Sequence, residues 1–300
     1  MKIRIIKFAA PACPAIAAGP AAENDAGLPF PDRTDAMCRF LAYQGEPIFL
    51  SEMVCAPAHS LIHQSMHADE GKTATNGDGF GLGWYGEREE PGLYREIRPA
   101  WSDENLRSLC AQVRSRSFFA HVRASTGTST TRANCHPFKH GRHLFMHNGQ
   151  VGDYLRVKRR IESLIPDELY VHRQGTGDTE ALFLAALADG LAEEPVAAMA
   201  RTLGRALALM REAGSRQPLR FAAAHSDGEV LTCFRWSSDS HPPSLYYRQG
   251  CGGVMVVSEP VDAREAGWQV IPPNAVLVAR MGQPVALRPF VVPQGGSLAA

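Results

Sequence analysis

Apolar and polar positions alternate with period two at the start of Cys38-Arg-Phe-Leu-Ala-Tyr43, with Cys38, Phe40 and Ala42 on one face and Arg39, Leu41 and Tyr43 on the other. Such alternation predicts a strand that begins at Cys38. A helix is expected over 59–66, and Asn76-Gly-Asp-Gly marks a turn before a glycine-rich strand at 80–86. Ser102-Asp-Glu opens a capped helix in which Leu106, Leu109, Cys110 and Val113 recur at helical spacing, and an apolar strand follows at 118–122. A short strand at 144–146 ends in a tight turn, His147-Asn-Gly149. Two helices rich in alanine and leucine follow at 179–191 and 196–212, the second closed by Gly214. Strands return at 219–224, 230–236, 245–248, 254–258 and 268–280, the first two joined by Asp227-Gly228 and the last broken by Pro272-Pro273. Strands, then helices, then strands predict two antiparallel sheets covered by helices.

A chain of 300 residues that is 45% apolar can bury one large core. Basic and acidic residues balance at 31 each, so no net field draws it to nucleic acid or to an anionic membrane. No run approaches the roughly 18 to 20 apolar residues of a membrane span. The seven cysteines, at 13, 38, 55, 110, 135, 233 and 251, are odd in number and contain no Cys-x-x-Cys pair. That argues against a disulfide framework and a thiolate zinc site, and makes a reducing cytoplasm the expected location. Residues 1–37 differ in kind. Lys2, Arg4 and Lys7 before an apolar stretch imitate a signal peptide, but Pro11 and Pro14 interrupt it, and alanine, proline and glycine dominate as far as Ala36. This segment is expected to be a leader, or sequence upstream of a start at Met37, and to be absent from the mature protein. Residues 38–300 then form the domain.

The boundary matters because either route frees Cys38. An N-terminal cysteine carries its own base: an α-amine titrating near ~8 can take the proton of a thiol titrating near ~8.5 and return it to a leaving amine. An internal cysteine lacks that base and is usually a small buried apolar residue.

Other motifs are weaker taken singly. Gly81-Leu-Gly-Trp-Tyr-Gly86 satisfies the dinucleotide pattern, but Glu87-Arg-Glu-Glu-Pro91 stands where the phosphate-binding helix should start, so the glycines read as sites of close backbone approach. Cys135, His136, His140, His143 and His147 crowd together without a zinc spacing, and no metal is expected. Arg123, at a strand end beside small and hydroxylated residues, can fork onto a carboxylate or sit in a structural ion pair. Asn148 and Gly149 offer a side-chain amide and a backbone N–H, which suit an oxyanion hole or simply a turn. Asp178 stands at a helix N-terminus, where an N-cap is the plainer reading.

In order along the chain, Met37-Cys38-Arg39, Asn76-Gly-Asp-Gly-Phe-Gly81, His121-Val-Arg-Ala-Ser-Thr126, Asn134-Cys-His-Pro137, His147-Asn-Gly149 and Gly177-Asp-Thr-Glu180 resemble the class-II glutamine amidotransferases, which are N-terminal-nucleophile hydrolases. The resemblance is nearest to the stand-alone YafJ-like branch, which includes the γ-glutamyl amidases of ergothioneine biosynthesis. It runs from Met37 to about Arg280 and includes Val257-Ser-Glu-Pro260.

The resemblance implies an α+β fold, a four-layer α/β/β/α sandwich of two antiparallel sheets, and a reaction that needs no cofactor. Cys38 matches the nucleophile that attacks a γ-carboxamide and forms a γ-glutamyl thioester. Asn148 and Gly149 match the oxyanion hole, Arg123 the clamp for the substrate α-carboxylate, and Asp178 the acceptor of its α-ammonium. His136 lies at a neighbouring position. A glycine precedes Asp178 where a serine often stands in the family. The expected ligand is glutamine or a γ-glutamyl conjugate, with a separate ammonia-accepting synthase as one destination for the nitrogen and simple hydrolysis as the other. Side-chain specificity beyond the glutamyl head is expected from loops over 156–173. From another class, a non-catalytic module would bind γ-glutamyl metabolites while the leader blocks Cys38.

Overall fold

The computed structural model of the protein describes residues 38–67, 75–125, 128–250, 252–263 and 267–293. These all fall in one unit running from Arg33 to Ala300. The expected leader, 1–37, lies outside the described residues, as do Thr126, Cys13 and Cys251.

Two antiparallel sheets form the centre. The first contains β1 (Arg39–Phe49), β2 (Phe80–Trp84), β3 (Gly92–Glu96), β4 (Arg114–Val122), β9 (Tyr246–Gly250), β10 (Gly253–Val257) and β11 (Gln269–Val270), in the order β11-β9-β10-β1-β4-β2-β3. The second contains β5 (Phe138–His140), β6 (His143–Gln150), β7 (Arg220–Ser226), β8 (Val230–Ser237), β12 (Ala275–Arg280) and β13 (Ala286–Pro289), in the order β13-β12-β8-β7-β6-β5. Helices α1 (Ser51–Val54), α2 (Leu61–Met66) and α3 (Glu104–Gln112) cover the first sheet. Helices α4 (Tyr154–Glu162), α5 (Asp167–Tyr170), α6 (Asp178–Ala188) and α7 (Pro195–Glu212) belong to the layer over the second. The layer order is therefore the expected α/β/β/α.

The period-two pattern is what separates the layers. Phe40 and Ala42 pack between the sheets with Phe119, Leu144, Met146 and Leu277. Leu41 and Tyr43 point the other way, onto Leu61, Leu106 and Cys110 of the first helical layer. Phe145 and Phe221 likewise leave the inter-sheet core, Phe145 stacking on Phe183 of α6 and Phe221 packing on Phe145. Helix α6 is buried almost all round, from Ala181 to Ala186, which explains its continuous apolar sequence. Asp103 caps α3 by accepting the Leu106 N–H at 2.7 Å, as the Ser-Asp-Glu signal implied.

Two expectations fail. The region 156–173 is not a run of loops, because its Val157 and Ile161 recur at i, i+4 and bury against the core as α4, with α5 close behind. And His147, Asn148 and Gly149 are not a tight turn: β6 continues through them to Gln150, paired to β7 as far as Arg220. Gly149 takes φ +133° inside that strand, and a Cβ there would sit 2.0 Å from the Arg220 carbonyl oxygen, so the position admits glycine alone. Among the described residues, no helix is long and apolar enough to cross a membrane.

Candidate active site

Register brings the candidate residues together at one end of the sandwich. In the β1–β4 ladder Arg39 pairs with Val122, so one step further sets Cys38, at the leading end of β1, beside Arg123, at the trailing end of β4. In the β1–β10 ladder Leu41 pairs with Val257, and the same count aligns Arg39 with Glu259. Cys38 shares the parity of Phe40, His121 that of Phe119, and Asn148 that of Met146, so all three fall on the inter-sheet side of their strands. Cys38, Arg123, His136, Gly149 and Asp178 line one cavity of about 420 Å³, with Tyr154 and Gln150 among its other walls.

Cys38 is half-buried. Its Sγ lies 3.4 Å from the Ala124 nitrogen, which donates to it, and 3.5 Å from the Ala124 carbonyl. Burial pushes the thiol above its usual range, against the pull of the Ala124 N–H and the cationic Arg123 and Arg39. An unaided thiol here stays protonated at neutral pH, and an attacking sulfur needs a base. Asn148 is buried against the nucleophile, its Nδ2 donating to the Cys38 carbonyl at 2.6 Å.

Two groups of opposite charge face this cavity without an ionic partner among the described residues. Arg123 is buried, and its guanidinium donates only to neutral acceptors: Asp78 O at 3.3 Å, Ser125 Oγ at 3.2 Å, Thr128 Oγ1 at 2.5 Å, and the Thr128 and Ser129 carbonyls at 3.3 Å. Asp178 is not the N-cap of α6. That place belongs to Gly177, which makes no side-chain cap, while Asp178 Oδ2 accepts the Val151 N–H at 2.8 Å. Asn134 stitches the two halves together: its Nδ2 donates to Ser129 O at 2.9 Å and its Oδ1 accepts the Thr176 N–H at 2.7 Å.

Behind Cys38 lies a buried ion pair that the sequence reading missed. Arg39 is fully buried, with Nε 2.6 Å from Glu259 Oε2 and Nη1 donating to the Cys38 carbonyl at 3.2 Å, and Glu259 Oε1 is 2.6 Å from His59 Nε2. Ser258 Oγ accepts the Phe40 N–H at 2.9 Å. The Val-Ser-Glu-Pro segment thus anchors the nucleophile's strand. Glu259→Leu is expected to lower stability by about 3–5 kcal/mol, since it takes the paired carboxylate from a buried guanidinium. Urea unfolding would show this as a fall in midpoint at constant slope.

The crowded histidines disperse into pairs. His136 Nδ1 meets His121 Nε2 at 2.7 Å, His143 stacks on His225, and His147 bridges Thr179 and the Arg220 carbonyl. Among the described residues, no three His, Cys, Asp or Glu side chains group as metal ligands do. The dinucleotide-like glycines serve close approach: a Cβ on Gly81 would lie 2.2 Å from the His136 carbonyl oxygen.

Residues 38–242 match the family described as class-II glutamine amidotransferases. The chain belongs to this family. As a class-II glutamine amidotransferase it is 32% identical to the probable glutamine amidotransferase DUG3 of Saccharomyces cerevisiae, over 85% of each chain. It is 28% identical to the γ-glutamyl-hercynylcysteine sulfoxide hydrolase of Mycolicibacterium smegmatis, over 81% of this chain and 96% of that one. A solved glutamine aminotransferase class-II domain protein from Silicibacter pomeroyi superposes with a TM-score of 0.69 at 38% identity, covering 85% of this chain and all of its own. The glutamine phosphoribosylpyrophosphate amidotransferase of B. subtilis shares the fold, with a TM-score of 0.58 at 14% identity over 85% of this chain and half of its own. The amidotransferase sandwich is thus the N-terminal-nucleophile hydrolase fold.

Proposed function

We propose that this protein hydrolyses γ-glutamyl amides through a thioester on Cys38. The observation that carries the reading is the pair Arg123 and Asp178, a cation and an anion on one cavity with the thiol, neither holding an ionic partner among the described residues. That pairing is complementary to the zwitterionic head of a glutamyl group. Arg123 takes the α-carboxylate and Asp178 the α-ammonium, which aims the γ-carboxamide at Cys38. Once residues 1–37 are removed, the α-amine of Cys38 takes the thiol proton as sulfur attacks. The Asn148 amide and the Gly149 N–H receive the oxyanion, and the protonated amine then releases ammonia or an amine. Water resolves the thioester by the same route, giving glutamate. The thiol must stay reduced throughout, which suits a cytoplasmic enzyme.

A cavity of about 420 Å³ lies in the usual range for ligands larger than a free amino acid. This favours a γ-glutamyl conjugate over glutamine, in keeping with the substrate in the name of the mycobacterial relative. Transfer of ammonia to a separate synthase is the second destination, and a binding module with a blocked Cys38 is the non-catalytic alternative. The test is amine release from γ-glutamyl-p-nitroanilide and ammonia release from glutamine, alongside analogues lacking the α-amine or the α-carboxylate. Each deletion is expected to reduce kcat/KM ~10- to 100-fold, the worth of one hydrogen-bonded charge contact. Equal rates with the deleted analogues would sink the assignment of Arg123 and Asp178. Binding without turnover would favour the module.

A further inference from the structure

The hydrogen-bond directions behind Asn148 run in one sense only. The Cys38 carbonyl can accept but not donate, so the atom of Asn148 at 2.6 Å from it is the amide nitrogen, and Oδ1 points away. That Oδ1 is buried and lacks a closed hydrogen bond, and so does Nδ1 of the buried His121. Burial, with Arg123 close by, pushes His121 down to about 3 and His136 well below the usual histidine range, so both rings are neutral. The Asn148 amide acts on His121 in the opposite sense, favouring a proton on that ring.

A neutral imidazole carries one N–H, and the 2.7 Å contact between His136 Nδ1 and His121 Nε2 uses one proton. Two arrangements exist. If His121 donates through Nε2, its Nδ1 is a bare lone pair, and two acceptors, Nδ1 and Asn148 Oδ1, stay buried with no donor. If His136 donates through Nδ1, the proton of His121 sits on Nδ1, where it can serve Asn148 Oδ1. Each buried acceptor left without a donor costs about 1–3 kcal/mol, which decides between them.

We infer that His121 and His136 are positioning residues for Asn148: both carry their proton on Nδ1, so that His121 holds Asn148 Oδ1 and keeps the amide nitrogen aimed at the nucleophile. One consequence reaches substrate. His136 lines the cavity, and its Nε2 has no partner among the described residues, so it offers a bound ligand a lone pair rather than a proton. It then selects an N–H or ammonium group in the substrate. Sequence spacing alone gives no hint of this chain, because His121 and His136 lie on different segments that meet only when β4 and the Asn134-Cys-His-Pro137 turn pack together.

The catalytic consequence rests on reading Asn148 as an oxyanion donor, whereas the tautomers do not. The first measurement is therefore long-range ¹⁵N–¹H correlation on the full chain with ¹⁵N-labelled histidine at neutral pH, assigned with His121→Leu and His136→Phe. Both rings are expected as the Nδ1–H form, the minority tautomer of free histidine. An Nε2–H signature for either ring overturns the inference, even in a preparation with no turnover. In active protein, His121→Leu is expected to lower kcat about tenfold or more with KM unchanged, a part of what a lost oxyanion donor costs. His121→Asn, whose amide nitrogen can stand in for Nδ1–H, is expected to recover most of that loss. An undiminished kcat in His121→Leu would equally overturn it.

Discussion

Cys38→Ala is expected to lower γ-glutamyl amide hydrolysis by on the order of 10⁴-fold or more while leaving the fold intact. The two halves of that statement have separate causes. Activity falls because the proposed reaction runs through the Cys38 sulfur, and alanine offers no atom that can form an acyl intermediate. Stability holds because the thiol is half-buried and makes only long contacts, 3.4 and 3.5 Å, to the Ala124 backbone. Losing them is worth no more than about 1 kcal/mol. The same reaction fails by a second route if the chain upstream of Cys38 is retained. Burial raises the thiol pKa in the acylated chain, so without a free α-amine the thiol holds its proton. His136 and His121 are too weakly basic in this environment to substitute. Wild-type protein with Cys38 as its first residue should therefore turn over γ-glutamyl-p-nitroanilide, and leader-bearing protein should not. Thermal melts and a progress curve for the three proteins check this. Full activity in Cys38→Ala would remove the thioester mechanism, and full activity in leader-bearing protein would remove the α-amine as base.

How far the sequence carried this outcome depends on the range of the interaction. Cys38, Phe40 and Ala42 alternate with Leu41 and Tyr43 because a strand between two layers must satisfy both faces, so β1 and its boundary were legible from local pattern. The motif order likewise pointed to Arg123, Gly149 and Asp178, which the fold gathers on one cavity, and to Asn148, which it sets against Cys38. Turn chemistry misled at Asn148-Gly149, since the dipeptide that closes hairpins here sits inside β6 with glycine at positive φ. Helix α4 was missed because its polar face is long and basic, and only Val157 and Ile161 signal burial. What no local pattern could supply were partnerships across the fold: Arg39 with Glu259, 220 residues apart, and His121 with His136. Each joins residues that are ordinary in their own segment and become informative only through register.

Asn148→Ala is expected to cost ~100- to 1,000-fold in kcat with little change in KM, the effect of losing one of a pair of oxyanion donors. The direction follows from where the amide points. Asn148 Nδ2 already stands 2.6 Å from the Cys38 carbonyl, while in the proposed reading Arg123 and Asp178 hold the glutamyl head elsewhere. Ground-state binding thus survives the substitution, and the loss falls on the tetrahedral intermediate, where the carbonyl oxygen gains charge. Asn148→Asp sharpens the test. The carboxylate keeps the shape but presents an acceptor to the Cys38 carbonyl and to the developing oxyanion, so it should be worse than alanine in kcat, while alanine merely leaves a gap that water can enter. A KM that rises with kcat unchanged in Asn148→Ala would move this residue from transition-state stabilisation to substrate binding. The remaining donor, the Gly149 N–H, cannot be removed without moving the strand, because any side chain there meets the Arg220 carbonyl. Asn148 is therefore the point at which the electrostatic part of the mechanism can be tested with the strand left in place.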